Sequence, residues 1–278
     1  MSRIEGSKIL ITGGASGIGK LMAQRFADRG ATVVIWDVDD PGMERLAVEM
    51  ESAGRRIGVY HCDVSNRAEV LRVAESVNKD FGGIDILINN AGIVTGQSFL
   101  DATDEQIEKG MAVNALAHFW TVRAFLPGMI RAGRGHIVTI SSAAGLIGVS
   151  RLVDYCAAKF AVFGFDEALR IEIKQKKWKI RTTVVCPYFI DTGMFDGART
   201  RFSSLLPILD RQRVADRIVK AVEGDRRRLL MPPMVYLIWL LRYLPTSAFD
   251  FTANLLGINA TMEGFKGRAG ESALMRKK

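Results

Sequence analysis

The sequence predicts an α/β fold: a doubly wound parallel sheet of about seven strands with helices on both faces, in a single domain that spans residues 1–278. Short runs rich in Val and Ile recur between longer amphipathic segments. Apolar runs without alternation are typical of strands buried on both faces, and regular alternation of strands and helices favours parallel pairing. No repeat, linker or low-complexity segment divides the chain, which favours one domain.

Six of the apolar runs are predicted as strands, at residues 8–12, 32–37, 57–63, 84–90, 135–141 and 181–187. Helices are predicted between them. One is opened by Pro41, whose missing N–H is harmless in a first turn; a long one over residues 105–129 follows a capping box of Thr103 and Gln106. Residues 188–260 are less regular. Because such sheets bind ligands beyond the carboxyl ends of their strands, we expect this region to shape a substrate site.

Composition excludes several classes of protein. The chain has 278 residues, 48% of them hydrophobic and 24% charged, which suits a globular domain with a large core. The net charge of +8 permits an anionic partner without requiring one. The basic groups at residues 226–228 and 276–278 lack the interleaved aromatics of a nucleic-acid surface, so we expect no nucleic-acid partner. The three cysteines and three histidines show no disulfide or metal-ligand spacing, so we expect no metal.

The N-terminal residues are polar up to a predicted strand at Lys8, so we expect no signal peptide or spanning helix there. One long apolar run, residues 229–241, contains two prolines and ends at Arg242. It is shorter than the roughly 20 residues that a membrane span needs. With thiols expected to be reduced, these observations predict a cytoplasmic protein.

The turn TGGASGIG at residues 12–19 joins the first predicted strand to a helix. Glycines there let the backbone approach a pyrophosphate, which then lies at the helix N-terminus. The second strand ends in Asp37. A carboxylate at that place accepts hydrogen bonds from the ribose hydroxyls of NAD and repels the 2′-phosphate of NADP. The pattern predicts a Rossmann-type fold that binds NAD; a surface Asp that merely ends a strand is the alternative.

Tyr155 and Lys159 are four residues apart in an apolar segment that is otherwise small and aromatic. In a helix they lie one turn apart on the same face. The glycine spacing at Gly13, Gly17 and Gly19 then resembles the short-chain dehydrogenase/reductase superfamily. The likeness extends over nearly the whole chain, in family order, through CDV at 62–64, NNAG at 89–92, Asn114, Ser142 and Tyr155-x-x-x-Lys159.

The resemblance is sharper in WDVDD, LAHFWTVRAFLPGM, GHIVTISSAAG, DYCAAKFAVFGF and CPYFIDTGMF. These segments resemble the branch that contains the epidermal-type retinol dehydrogenases and the lipid-droplet 17β-hydroxysteroid dehydrogenases. That branch implies lipid metabolism and an NAD-dependent oxidoreductase that interconverts a hydrophobic alcohol, whether retinoid, steroid or long-chain, with its carbonyl.

The resemblance implies a catalytic set of Asn114, Ser142, Tyr155 and Lys159. Tyr155 would act as the general acid/base, and Ser142 would stabilise the substrate oxygen, with the neighbouring Ser141 as the alternative. Bringing the pKa of a tyrosine from about 10 to about 7 takes roughly 4 kcal/mol, which Lys159 and the nicotinamide charge together could supply. Asn114 would bend its helix and hold a water that links Lys159 to solvent; the alternative is a mid-helix Asn that bonds a nearby carbonyl.

The same resemblance implies the cofactor contacts. Asp63 and Val64 would contact the adenine and Asn90 the adenosine ribose, while Ile190 and Thr192 would contact the carboxamide. The full implied set for NAD is Gly13, Ser16, Gly17, Ile18, Gly19, Asp37, Asp63, Val64, Asn90, Tyr155, Lys159, Ile190 and Thr192. Tyr188 stands where many members have Gly, a departure that would narrow or line the site.

Two alternatives to an NAD-dependent dehydrogenase remain. An NADP-linked carbonyl or acyl reductase is disfavoured by Asp37 and by the uncharged Ser16. A non-catalytic dinucleotide-binding scaffold is disfavoured by the intact Asn-Ser-Tyr-Lys set. The family also implies a homodimer or homotetramer. Phe119, Trp120 and Phe125, at helical spacing on one helix, are expected to be packing residues, with the helix pair of such a subunit contact as one place for them. Residues 229–245 are expected either to lie in a membrane interface or to cover the substrate pocket or a subunit contact.

Overall fold

The structure is a computed structural model that describes residues 2–267, so the basic tail at residues 276–278 lies outside the described residues. Its strands are β1 (Lys8–Thr12), β2 (Thr32–Asp37), β3 (Ile57–His61), β4 (Ile86–Asn89), β5 (Gly135–Ile140), β6 (Ile180–Pro187) and β7 (Arg228–Met231). They form one seven-stranded sheet in the order β3-β2-β1-β4-β5-β6-β7. Every neighbouring pair is parallel. The predicted doubly wound sheet is confirmed.

Helices cover both faces of this sheet. They are α1 (Gly17–Ala27), α2 (Asp40–Ser52), α3 (Arg67–Phe81), α4 (Asp104–Met111), α5 (Ala117–Ala132), α6 (Val153–Gln175), α7 (Arg211–Glu223), α8 (Ile238–Leu241) and α9 (Thr246–Leu255). Successive strand residues point to opposite faces. In β1, accordingly, Ile9 and Ile11 pack in a core with α1, α2 and α7, whereas Leu10 packs in a second core with α3 and α5. Because both faces of β1 are buried, successive residues of this strand have to be apolar.

The predicted capping box of α4 is present. The Thr103 amide donates to Gln106 Oε1 at 3.0 Å, and the Gln106 amide donates to Thr103 Oγ1 at 3.3 Å. The single long helix predicted over residues 105–129 is instead divided, because a π-helical turn at Ala112–Leu116 separates α4 from α5. Such a turn adds a residue to the helical ladder and occurs frequently at functional sites.

Phe125 is a packing residue, as predicted, and it packs in the core of the subunit. Its ring is buried in the core, 5.6 Å from the ring of Trp36, because it lies on the face of α5 that meets the sheet. Phe119, in contrast, is 41% exposed on the outer face of the same helix. Of the aromatic residues proposed for a subunit contact, only those on that outer face remain candidates.

The apolar run at residues 229–245 does not form one helix. Its first residues belong to β7 and pair with β6, which buries Leu229, Leu230 and Met231. A 3₁₀ turn at Pro233–Leu237 and the four-residue α8 follow. Within residues 2–267, no helix is both long and apolar enough to span a bilayer.

Candidate active site

The glycine-rich turn between β1 and α1 is shaped for a close backbone approach. Gly13 and Gly17 have φ of +64° and +54°, which side chains other than glycine rarely adopt. A Cβ atom on Gly19 would lie 2.0 Å from the Gly13 carbonyl oxygen. Ser16, at the N-cap of α1, makes no side-chain hydrogen bond to the first turn. The amides of that turn are therefore left to bind an anion.

Asp37 ends β2 and lines a cleft of about 400 Å³ together with the glycine-rich turn. Its Oδ2 accepts a hydrogen bond from the Ala15 amide at 2.9 Å, and its Oδ1 accepts from the Val38 and Asp39 amides at 2.8 and 3.1 Å. These bonds hold the carboxylate against the cleft. The arrangement suits a carboxylate that accepts from ribose hydroxyls.

Asp63 and Val64 line the same cleft farther along, after β3. The Asp63 carboxylate accepts from the amide and hydroxyl of Ser65, at 2.9 and 2.7 Å, and from Lys109 Nζ at 2.7 Å. Burial raises the pKa of Asp63, but the hydrogen bonds from Lys109 and Ser65 outweigh it and hold the pKa below its usual value. Lys109 on α4 was not predicted, because its helical pattern is that of an ordinary surface lysine.

Asn90 follows β4 and joins it to the glycine-rich turn. Its Nδ2 donates to the carbonyl oxygens of Thr12 and Gly13, both at 3.0 Å. The side-chain amide therefore holds the turn, and the residue also lines the cleft. The predicted contact to the adenosine ribose would be made beside this bond.

Tyr155 and Lys159 meet on the buried face of α6, as their spacing predicts. Lys159 Nζ lies 5.6 Å from the centroid of the Tyr155 ring and donates to the Ile140 carbonyl at 3.0 Å. The hydroxyl of Ser142 interacts with that of Tyr155. Ser141 donates its hydroxyl to the Lys159 carbonyl oxygen at 2.9 Å. Of the two serines, Ser142 is thus the one placed beside the tyrosine hydroxyl.

Burial governs the electrostatics of this pair. It raises the pKa of Tyr155, and the hydrogen bond with Ser142 only partly offsets this effect. Burial also lowers the pKa of Lys159, to about 8. Desolvation of the phenolate therefore dominates in the protein alone, and the joint effect predicted for Lys159 and the nicotinamide charge stays a prediction.

Asn114 lies in the π-helical turn, 1% exposed. Its Nδ2 donates to the Ile93 carbonyl oxygen at 2.9 Å, and its Oδ1 accepts from the Ile93 amide at 3.0 Å. The amide thus ties the turn to the segment that follows β4. The bond to a nearby carbonyl, which was the alternative to the predicted water-holding role, is present, and the irregular turn of the helix coincides with this residue. The water-holding role stays a prediction.

A second, apolar cavity of about 240 Å³ adjoins the cofactor cleft. The two share four lining residues, which are Ser142, Tyr155, Tyr188 and Phe195. The Phe195 ring meets the Tyr155 ring edge-on at 5.8 Å. The 3₁₀ turn, α8 and α9 supply further apolar lining residues, and Ile190 and Thr192 line the cofactor cleft. Phe195 was not predicted, since its segment has no periodicity.

A parallel sheet with a glycine-rich turn, a cleft that Lys159 lines and an apolar cavity that meets this cleft at Ser142 and Tyr155 together indicate a nicotinamide dinucleotide oxidoreductase that acts on CH–OH groups. The family described as short chain dehydrogenase matches residues 7–201, and the chain belongs to it.

Epidermal retinol dehydrogenase 2 of Mus musculus is 47% identical over 268 residues, covering 95% of this chain and 87% of that protein. Short-chain dehydrogenase/reductase family 16C member 6 of Bos taurus is 44% identical over 265 residues, covering 94% and 84%. The resemblance to the retinol dehydrogenase branch is confirmed.

Solved structures show the same fold with either cofactor. A short chain dehydrogenase/reductase from Burkholderia phymatum in complex with NAD is 25% identical, with a TM-score of 0.80 over 91% of this chain and 97% of that one. A metagenomic short-chain oxidoreductase in complex with NADP is 27% identical, with a TM-score of 0.68 over 82% and 96%. The family thus binds a nicotinamide dinucleotide.

Proposed function

We propose that this protein is an NAD-dependent oxidoreductase that interconverts a hydrophobic alcohol and its carbonyl, with Tyr155 as general acid/base. The observation that carries the proposal is the shared wall of Ser142 and Tyr155 between the cofactor cleft and the apolar cavity. A substrate oxygen beside these two hydroxyls would have its carbon facing the cleft and its hydrocarbon in the cavity.

The preference for NAD is supported by Asp37. Its carboxylate is held against the cleft by three backbone amides, where it would accept from ribose hydroxyls and repel a 2′-phosphate. Ile190 and Thr192, which line the cleft, would hold the nicotinamide, and this group would supply the hydride acceptor for oxidation and the hydride donor for reduction. The alternative, an NADP-linked carbonyl or acyl reductase, would have to place two negative charges beside this carboxylate.

The residues at the reacting end divide the proton chemistry. Tyr155 Oη takes the hydroxyl proton in oxidation and returns it in reduction. Ser142 donates to the substrate oxygen as its charge changes. Lys159 places a cation next to the tyrosine, which favours the phenolate, and Asn114 holds the segment after β4 against α5. The relay of a proton from Lys159 to solvent stays a prediction.

The apolar cavity offers a substrate few polar partners. Thr252 and Thr261 donate their hydroxyl hydrogens to the carbonyl oxygens of Ala248 and Ile258, each at 2.8 Å. Tyr188, which also lines the cofactor cleft, has a hydroxyl without a partner among residues 2–267. The lining therefore suits a largely hydrocarbon substrate, whether a retinoid, a steroid or a long-chain alcohol.

The test is formation of NADH with a panel of retinol, long-chain alcohols and hydroxysteroids, repeated with NADP. We expect turnover of at least one of these alcohols with NAD, loss of turnover in Tyr155→Phe, and unchanged binding of NADH in that variant. Unaltered turnover in Tyr155→Phe would contradict the mechanism, and a clear preference for NADPH would contradict the role of Asp37. Binding of NADH without turnover of any alcohol or carbonyl would favour the non-catalytic scaffold.

The proposal includes the partners of the protein. A homodimer or homotetramer is supported by the outer faces of α5 and α6, where Phe119 and Phe160 are 41% and 37% exposed. Phe119→Glu should then lower the mass measured by light scattering. We further propose a cytoplasmic location with peripheral membrane contact through residues 229–245, tested by fractionation of cells that express the chain.

A further inference from the structure

We propose that a surface on α8, α9 and the turn between them docks on an anionic lipid bilayer, and that the hydrophobic alcohol passes through it into the cavity. We call this surface the docking face and define it as Leu240, Tyr243, Leu244, Phe251 and Leu255. The inference rests on the proposed function, because it explains how a substrate dissolved in lipid reaches Tyr155.

The docking face exposes large apolar side chains close together in sequence. Tyr243 is 89% exposed, Phe251 68%, Leu240 66%, Leu255 53% and Leu244 41%. A contiguous apolar patch is unusual on a monomeric protein and marks a site of interaction. Tyr243 adds a ring with a polar tip, a combination enriched where hydrocarbon meets headgroups.

The same short elements form the outer wall of the apolar cavity. Leu237 and Leu241 line it from the 3₁₀ turn and α8, Thr252 lines it from α9, and Leu256 lines it from just after α9. Leu237 is itself 42% exposed. The elements that carry the docking face therefore also line the cavity that Ser142 and Tyr155 line. A small displacement of α8 or α9 would open the cavity toward whatever covers the face.

The charge around the face favours an anionic partner. Residues 226–255, which include the docking face, contain four arginines and one acidic residue, Asp250; of the arginines, Arg228 pairs with Glu167. Arg242 lies beside the face, where its guanidinium donates to the Leu146 carbonyl oxygen at 2.8 Å and stands over the Phe160 ring. Arg201 donates to the Leu255 carbonyl oxygen at 3.4 Å. Neither guanidinium meets a carboxylate in the described part of the chain, so both can attract lipid phosphates and carboxylates.

The geometry and the charge distinguish a bilayer surface from other occupants. α8 has four residues and α9 has ten, so these elements suit a position in the plane of the interface rather than across it. In a symmetric contact between two copies the same patch faces itself. The arginines beside the face would then approach their own equivalents, whereas an anionic bilayer neutralises them.

The first experiment is flotation with vesicles, which needs no turnover. Vesicles of phosphatidylcholine with about a quarter phosphatidylserine are compared with phosphatidylcholine alone. We expect the wild type to float with the anionic vesicles, and Leu240→Glu with Tyr243→Glu to lower the bound fraction about tenfold, because charged side chains do not enter the hydrocarbon. The matched control is Val48→Glu with Leu100→Glu, since those side chains are 68% and 91% exposed elsewhere; it should float like the wild type.

The second experiment tests the route into the cavity. With a short, water-soluble alcohol, the docking-face variant should turn over like the wild type, which also shows that it folds. With retinol in the anionic vesicles its KM should rise about tenfold, in step with the lost binding.

Failure of the wild type to float, or flotation of the docking-face variant equal to the wild type, would overturn the inference. A lower mass of that variant by light scattering would assign the face to a second copy and overturn it too. Flotation without NADH formation from any alcohol would instead contradict the proposed function alone.

Discussion

The carboxylate of Asp37 accepts a hydrogen bond from the amide of Ala15, with 2.9 Å between Oδ2 and N. The bond joins the end of β2 to the glycine-rich turn that follows β1. Asp37, which would select the cofactor, therefore also holds the loop that would bind the pyrophosphate of that cofactor. Cofactor choice and cofactor affinity should change together when this contact is altered.

Replacing Asp37 with Ser should lower kcat/KM for NAD by about 10- to 100-fold and raise the ratio of NADP to NAD activity. The lost carboxylate removes charged hydrogen bonds to the ribose and the repulsion of a 2′-phosphate. Steady-state kinetics with both cofactors provide the measurement. Asp40→Asn is the control, because its carboxylate bonds His61 at the surface. An unchanged ratio in Asp37→Ser would contradict the assignment.

Replacing Lys159 with Met should move the acid limb of kcat/KM for alcohol oxidation to higher pH by more than about one unit. Burial already raises the pKa of Tyr155, and loss of the adjacent cation removes what favours the phenolate. The rate at neutral pH should fall about 100-fold. Lys109→Met is the control, since that cation bonds Asp63 at the end of the cleft where the adenine is predicted. This variant should raise the KM for NAD and leave the pH dependence of kcat/KM on the acid side unchanged. Equal shifts in both variants would refute the role of Lys159.

Replacing Gly19 with Ala should abolish binding of NADH and lower stability by about 1–3 kcal/mol. The added methyl would lie 2.0 Å from the Gly13 carbonyl oxygen, so the turn must move. Gly148→Ala is the matched control, because no atom lies within 4 Å of its Cβ position. Binding is measured by NADH fluorescence and stability by urea unfolding. If Gly19→Ala bound NADH as tightly as Gly148→Ala does, the turn would not be the phosphate site.

Asp166 on α6 is 2% exposed, and burial raises the pKa of its carboxyl to about 7. The pKa of this carboxyl is higher in the folded protein than in the unfolded chain, so the unfolded chain ionises first as pH rises. The folded protein therefore becomes less stable as pH rises from the ordinary pKa of an aspartate toward 7. Asp166→Asn should therefore gain about 2 kcal/mol over the wild type at pH 8 and little near pH 4.5. Urea unfolding at the two values tests it, with Glu44→Gln on the exposed face of α2 as control. An equal difference at both pH values would mean that titration is not the cause.

Much of the fold could be predicted because it follows from local patterns. The apolar runs of β1 to β6, the capping box at Thr103 and the glycine-rich turn each depend on a few neighbouring residues. The seventh strand was not placed, because residues 228–231 read as the start of a longer apolar segment. Only pairing with β6 makes them a strand, and that pairing joins residues far apart in the chain.

The sequence by itself determined the doubly wound sheet, since the pattern of apolar residues carries that information. Its resemblance to a known family gave the retinol dehydrogenase branch and the candidate site residues. The tertiary structure decided what surrounds them. Desolvation sets the direction in which the pKa of Tyr155 moves, and it depends on packing around α6. Long-range contacts likewise place Lys109 on Asp63, Phe195 on Tyr155, and the docking face over the apolar cavity, because no local pattern encodes contacts between distant segments.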